Sequence, residues 1–286
     1  MSETPAETRT ISGSKVSEVL ITVILVLLAL AVILPLILPL FFVFKTRLEF
    51  SYHPWALPQT IQWKNFKDAW EAIDIGKGLW NTLLVCLGAI ICTVPSAAMA
   101  GYVFARYRTK ATEIAFYGIL AGYFVPVQMV LVPLYKMGSN MGFVDTLPGL
   151  FLPMAAFGIP FWTIIFRSFF RGIPAEMAEA ARIDGAGHVG TFVKVMFPLA
   201  TPATVLATLL VFIGAWSDYL LSLVMLNSQD LFTMQLKVGQ FISQYAAGNV
   251  PEYAAAAVIS AAPTILLYIA GHRWILKGTL AGALKG

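Results

Sequence analysis

The side chains in this sequence that could do chemistry are few and scattered. Its histidines, His53, His188 and His272, show no metal-ligand spacing. Its cysteines, Cys86 and Cys92, share one apolar run, and a separation of six residues puts them on different helical faces. The sequence therefore predicts two packing thiols and no disulfide. It carries no Gly-Lys-Ser/Thr phosphate loop, no Gly-x-Ser-x-Gly elbow and no His-Glu-x-x-His pair. It reads as neither an ATPase nor any other enzyme, with no metal and no cofactor expected. Four charged groups, Glu176, Glu179, Arg182 and Asp184, lie close together among alanines. A single acid, Asp218, lies well inside an apolar run.

The polar cluster belongs to the stretch 173–187, Ile-Pro-Ala-Glu-Met-Ala-Glu-Ala-Ala-Arg-Ile-Asp-Gly-Ala-Gly. Pro174 suits a first helical position and Glu176 suits the first turn. Ala178, Ala180 and Ala181 favour helix, and Gly185 is placed to end it in a left-handed cap. The spacing predicts a short helix, a sharp turn, and a second helical stretch through Phe192, Val193 and Met196 up to Pro198. An alanine face has few large side chains and can approach another protein's groove closely. The alternative is a connector with no partner, and composition alone does not separate the two.

The elements that must position this stretch are apolar. Hydrophobic residues make up 58% of the chain and charged residues 12%, against about 25% charged in a soluble domain. Mean hydropathy is +0.77. The composition excludes an ordinary soluble enzyme and a disordered chain. Six runs, 19–44, 79–104, 113–136, 147–168, 199–225 and 254–275, each reach the roughly 20 residues needed to cross a bilayer. Ten-residue alternating segments, the mark of a barrel, are missing. The expected fold class is all-α: a polytopic membrane bundle of six helices. The first run begins after a polar start and is longer than a signal core of about 7–15 residues, so it is expected to be retained. Small residues, Ser96-Ala97-Ala98 with Gly101 and Ala254 to Ala257 with Ala261 and Ala262, suit close helix packing.

If both termini face the cytoplasm, 12 Lys and Arg lie on that side and 7 on the other. That count favours cytoplasmic termini. Net charge is +4 and no basic stripe occurs, so no nucleic-acid partner is expected. The expected division is a flexible cytoplasmic tail (1–18), a first span with an external loop (19–78), a membrane core (79–275) and a cytoplasmic tail (276–286). In the external loop, Phe66, Trp70 and Ile73 recur at helical spacing. They read first as a helix resting at the lipid interface, second as a platform for an external partner.

Glu179-Ala180-Ala181, Asp184-Gly185-Ala186, Phe192, Pro198-Leu199 and Pro202 together resemble the "EAA" loop of binding-protein-dependent ABC importer permeases. The carbohydrate branch, especially the smaller maltose-type permease, is resembled by further segments: Trp80-Asn81-Thr82, Ala100 to Arg106, Pro126-Val127-Gln128, Pro133-Leu134-Tyr135, Asp145 to Gly149, and Ala215-Trp216-Ser217-Asp218-Tyr219. Ser217 departs from the Trp-Asn more usual there. The resemblance covers nearly everything after residue 18.

It implies a type-1 permease core and a cytoplasmic coupling helix that enters a cleft on a separate ATPase through Glu179, Ala180, Ala181, Asp184, Gly185, Ala186, Phe192 and Pro198. It implies a tail, Lys285 and Gly286, reaching the same interface. The implied partners are a second homologous permease, two ATPase subunits, an external solute-binding protein, membrane lipid and a sugar substrate. The implied location is a bacterial inner membrane. Asp184 is expected to hold its turn by bonding local amides, and Arg182 to be a solvated or interfacial charge. Asn81, Gln128, Trp216, Asp218 and Tyr219 are the expected pathway residues. Asp218 reads equally as a pathway acid or as a hydrogen-bonded residue near the membrane surface. Tyr123, Phe124, Trp216 and Tyr219 could stack on sugar, though helix packing is the commoner use of each. The rival reading is an ion-coupled secondary transporter, which needs coupling groups inside the membrane.

Overall fold

The computed structural model describes residues 15–245 and 249–283. Those residues form helices and no strand. In chain order they are α1 (Lys15–Phe42), α2 (Arg47–Tyr52), α3 (Lys64–Ala72), α4 (Ile75–Arg106), α5 (Lys110–Tyr123), α6 (Val127–Asn140), α7 (Leu147–Arg171), α8 (Glu176–Ile183) and α9 (His188–Thr191). A π-helical turn (Phe192–Met196) leads into α10 (Phe197–Leu199), α11 (Thr201–Trp216), α12 (Leu220–Met225), α13 (Met234–Tyr245) and α14 (Val250–Ala283).

Helices α1, α4, α7 and α14 are long and apolar enough to cross a membrane. The other two expected spans are broken. Run 113–136 forms two 14-residue helices, α5 and α6, bent by 97°. Pro126 lies at that break; it has no N–H to donate and drives the residue before it away from helix. Run 199–225 is also composite. The helical stretch His188–Leu199 turns by 76° into α11, with Ala200 at the corner between Pro198 and Pro202. Helix α11 stops after 16 residues, and α12 follows. Counted with each bent pair as one span, the bundle has six.

Helix α4 is the axis. Its 32 residues extend about 48 Å at 1.5 Å each. It packs along α7 more extensively than any other pair, and on α11 across another side. Of the small residues expected to allow close approach, Ala97, Ala98, Gly101 and Ala254 to Ala256 do so, while Ala261 is exposed. Ala97 and Ala98 are fully buried with Val94, Tyr102, Trp162, Phe166 and Phe170. A Cβ at Gly101 would stand 2.6 Å from Phe166 Cβ and 2.8 Å from the Arg167 nitrogen, so only glycine fits there. Ala254, Ala255 and Ala256 likewise pack with Val43, Ile75 and Met234 at the start of α14. Phe42 at the end of α1 and the following Val43 touch this cluster, and the α1 side chains from Val19 to Leu34 are uncovered.

The segment between α1 and α4 is knitted to the bundle by polar groups that face inward. Lys45 is fully buried, and its ammonium donates to the carbonyls of His53 (2.7 Å) and Pro54 (2.8 Å). Asn65 on α3 donates to the carbonyls of Val43 (2.6 Å) and Lys45 (2.8 Å). Asn65 and Ala69 are the buried residues of α3; Phe66 and the following Ile73 pack partly against the same cluster, and Trp70 is half exposed.

Candidate functional site

At the far end of α4 from α3 lies the stretch α8 to α10. Helix α8 is amphipathic at low cost in side-chain volume. Ala178 and Ala181, three apart, face inward. Ala178 joins the cluster of Tyr102, Phe170 and Met196, with Phe192 packed against it. On the open side are Glu176, Met177, Glu179, Ala180 and Arg182, with Ile183 87% exposed. The carboxylates of Glu176, Glu179 and Asp184 have no hydrogen bond or ion pair among the described residues. Across the turn, Val189 and Val193 are also exposed.

Gly185 ends the helix as expected, with φ +85°. The turn is a Schellman motif: the N–H of Ala186 donates to Ala181 O (2.9 Å), and that of Gly185 to Arg182 O (3.0 Å). Main chain alone closes it. The expectation that Asp184 bonds local amides is not met, because those amides already have carbonyl partners. Pro174 also differs from expectation. It precedes the N-cap Ala175 and is not the first helical residue. Arg106, at the end of α4, donates to Ile173 O (2.9 Å) and Pro174 O (3.4 Å) and holds both outside the helix.

A second polar group ties the segment to α4. Arg182 donates to the Tyr107 hydroxyl (3.2 Å), which lies 2.7 Å from His188 Nδ1. Arg182 itself comes within 3.3 Å of that nitrogen. Three elements thus meet at one tyrosine: α8, α9 and the end of α4. Arg182 is exposed yet engaged in the fold. Sequence reasoning passed over Tyr107 and His188, and their partners are 75 and 81 residues away from Tyr107. Nearby, Arg167 of α7 pairs with Glu113 of α5 and lies 3.7 Å over the Phe116 ring. Arg171 reaches the same carboxylate at 3.6 Å.

The expected pathway residues divide into two sorts. Asn81, Trp216 and Asp218 are bonded into the scaffold. Asn81 donates to Asp230 O (2.8 Å) and Phe232 O (3.2 Å). The buried Trp216 indole donates to Ser260 O (3.0 Å) and stacks on Phe212. The Asp218 carboxylate accepts from the N–H (2.9 Å) and hydroxyl (3.0 Å) of Ser222 in the first turn of α12. Gln128 and Tyr219 keep exposed side chains, Tyr219 lying against Gly239. Lys285 and Gly286 lie outside the described residues.

At the α3 end of the molecule the charged groups are paired. The Ser228 hydroxyl, with the N–H groups of Ser228 and Asn227, holds the Asp145 carboxyl below the usual carboxylate range. Lys77 does the same for Asp230. Burial pulls Lys237 below the ordinary lysine value, partly offset by Asp74. Its ammonium donates to Ile73 O (2.9 Å) and Asp74 O (3.1 Å), where Asp74 is held at φ +48°.

Residues 94–280 match the family described as binding-protein-dependent transport system inner membrane component. The diacetylchitobiose uptake system permease protein NgcG of Streptomyces coelicolor is 33% identical over 267 residues, 92% of this chain and 87% of its own. The melibiose/raffinose/stachyose import permease protein MelC of Bacillus subtilis is 30% identical over 269 residues, 93% of this chain and 96% of its own. The trehalose transport system permease protein SugB of Mycobacterium tuberculosis is 31% identical over 234 residues, 80% and 84% of the two chains. A chain of a bacterial ABC transporter involved in the import of the acidic polysaccharide alginate superposes with a TM-score of 0.80 at 22% identity. That superposition covers 94% of this chain and 99% of the other, and it is a likeness of fold.

Proposed function

The chain belongs to the family of binding-protein-dependent transport system inner membrane components, and from that premise we propose that it moves a sugar or oligosaccharide into the cytoplasm by alternating access, driven by a separate ATPase. As a permease of that family it is not itself the ATP-hydrolysing subunit. The working assembly is this chain, a second homologous permease, two ATPase subunits and an external binding protein. The sugar comes from the relatives, whose names specify diacetylchitobiose, melibiose, raffinose, stachyose and trehalose.

The observation that carries the coupling role is the α8 surface. Three carboxylates without partners stand beside the exposed apolar side chains of Met177, Ile183 and Val189. Unpaired charge next to uncovered apolar surface is the composition of an interface awaiting its other half. Glu179 would meet basic groups of the ATPase, with Ala180, Ala181, Asp184, Gly185 and Ala186 shaping the contact and Phe192 and Pro198 backing it. Closure of the ATPases would push α8, and α4 would carry the motion into the bundle.

Charge placement supports cytoplasmic termini. Of the seven Lys and Arg on the α3 side, Lys45 and Lys237 bond carbonyls, while Arg47, Lys64, Lys67 and Lys77 pair with Glu252, Asp68, Glu71 and Asp230. Six of these cations thus have jobs in the fold. Arg108, Lys110 and Lys194 on the α8 side have no such partner among the described residues, and the count of Lys and Arg, 12 against 7, favours that side as cytoplasmic. The secondary-transporter rival needs coupling groups inside the membrane and has one acid, Asp218, to supply them, whose carboxylate is bonded to Ser222.

Co-purification of the tagged chain in gentle detergent, with mass spectrometry, tests the assembly. The expected result is an ATPase and a second permease, with the co-purified binding protein's ligand naming the sugar. Recovery of this chain alone, active for uptake in liposomes without ATP, would overturn it.

A further inference from the structure

Between the coupling surface and the spans there must be a joint, and the end of α4 supplies one. Arg106 grips the carbonyls ahead of α8. Tyr107 bridges Arg182 of α8 and His188 of α9. Tyr102, one turn earlier, packs its ring on Phe170 and Phe192 at 5.6 and 5.2 Å. The joint is not fully satisfied: the buried Arg106 Nε and Tyr102 hydroxyl have no hydrogen-bond partner among the described residues. Arg182 lies beside that hydroxyl without completing a bond to it.

The hydrogen-bond directions follow from donor chemistry. A guanidinium only donates, so Arg182 donates to the Tyr107 oxygen. Arg182 also reaches His188 Nδ1 at 3.3 Å, so in this arrangement that nitrogen presents a lone pair and Tyr107 can donate to it. The titratable and charged groups around it are Arg182 of α8 and Tyr102, Arg106 and Tyr107 of the α4 end, with Arg108 next along the chain. Asp184 and Lys194, on either side of α9, make no bond to the ring. A proton on Nδ1 would have no carboxylate to face. It would remove the acceptor that Tyr107 uses and set an imidazolium 3.3 Å from the Arg182 guanidinium.

We propose that Tyr107 is the positioning residue through which α8 and α9 move α4, and that His188 makes this joint open when it takes up a proton. The inference rests on the coupling role proposed for α8. Neutral His188 keeps the joint closed and the drive from the ATPase intact. Protonation frees α9 from α4, so ATP is hydrolysed with less transport. Cytoplasmic acidification would slow import by this route without blocking the ATPase.

The test is the complete importer in proteoliposomes, read as sugar transported per ATP hydrolysed at about pH 7.5 and about pH 5.5, the range across which histidine titrates. The wild-type ratio is expected to fall about fivefold on acidification, the low end of allosteric coupling. His188→Asn, which keeps an acceptor and cannot titrate, is expected to hold the ratio level. Tyr107→Phe, which keeps the ring and loses both bonds, is expected to give the low ratio at both pH values with ATP hydrolysis retained. Superimposable profiles for wild type and His188→Asn, or normal coupling in Tyr107→Phe, would overturn the inference. Failure of the wild-type chain to associate with an ATPase would defeat the coupling role itself, a separate result read by co-purification.

Discussion

The two ends of α4 differ in the charged groups they leave without a partner. At the α3 end, Lys45, Asn65, Asn81 and Lys237 turn inward and donate to main-chain carbonyls, and Arg47, Lys77 and Asp145 have side-chain partners. At the α8 end, Glu176, Glu179 and Asp184 point away from the fold with no partner, beside Ile183 and Val189. Both ends are rich in charge, so composition does not distinguish them. The distinction is whether the partner is in this chain. One end completes its own surface, and the other is left for another protein to complete. Substitutions at the first should therefore cost stability, and substitutions at the second should cost coupling.

The largest stability loss is expected from Lys45→Met. It strands the carbonyls of His53 and Pro54 without their buried donor, a loss of about 3 kcal/mol, read by thermal unfolding in detergent. Coupling in the protein that does fold should be normal. Gly185→Val comes next. A β-branched residue at φ +85° is strained by about 1–2 kcal/mol, and the turn that shapes the docking surface is deformed. Uptake should fall at least about tenfold, an amount that about 1.4 kcal/mol of coupling supplies, with membrane insertion unchanged. Gly187→Ala is the control: its φ is −65° with open space around it, so uptake should stay normal.

Glu179→Lys should change stability by less than about 0.5 kcal/mol, as for an exposed residue without a partner, yet abolish coupled uptake. A large stability loss there, or normal uptake, would break the contrast between the ends. The smallest effect is expected from Asp145→Asn. The carboxyl of Asp145 lies below its ordinary value of 3.8 in the folded chain, so its stabilisation is complete above that pH and lost as pH falls through the depressed value. Wild type should be slightly more stable than Asp145→Asn at neutral pH, and the two should converge in strong acid.

Local features were legible in the sequence, and distant partnerships were not. Gly185 stood out because a left-handed cap at the end of an alanine-rich helix selects glycine. Gly101 and the alanines of α4 stood out because close helix packing selects small residues. The breaks of 97° and 76° were not legible in the apolar runs, which read as single spans. Pro174 was misplaced because Arg106, far away in the chain, holds it. The roles of Lys45, Lys237 and Glu252 depend on carbonyls or arginines brought near by folding, in one case 205 residues away. Asp218 read equally as a pathway acid or a bonded residue; its bonds to Ser222 come from a turn that the apolar run did not reveal.

The most direct test of the contrast places a photo-crosslinking residue at Ile183, 87% exposed on α8, or at Trp55, 78% exposed in the loop after α2. Irradiation in native membranes should join the Ile183 position to an ATPase subunit and leave the Trp55 position without that product. An ATPase adduct from Trp55 and none from Ile183 would contradict the account.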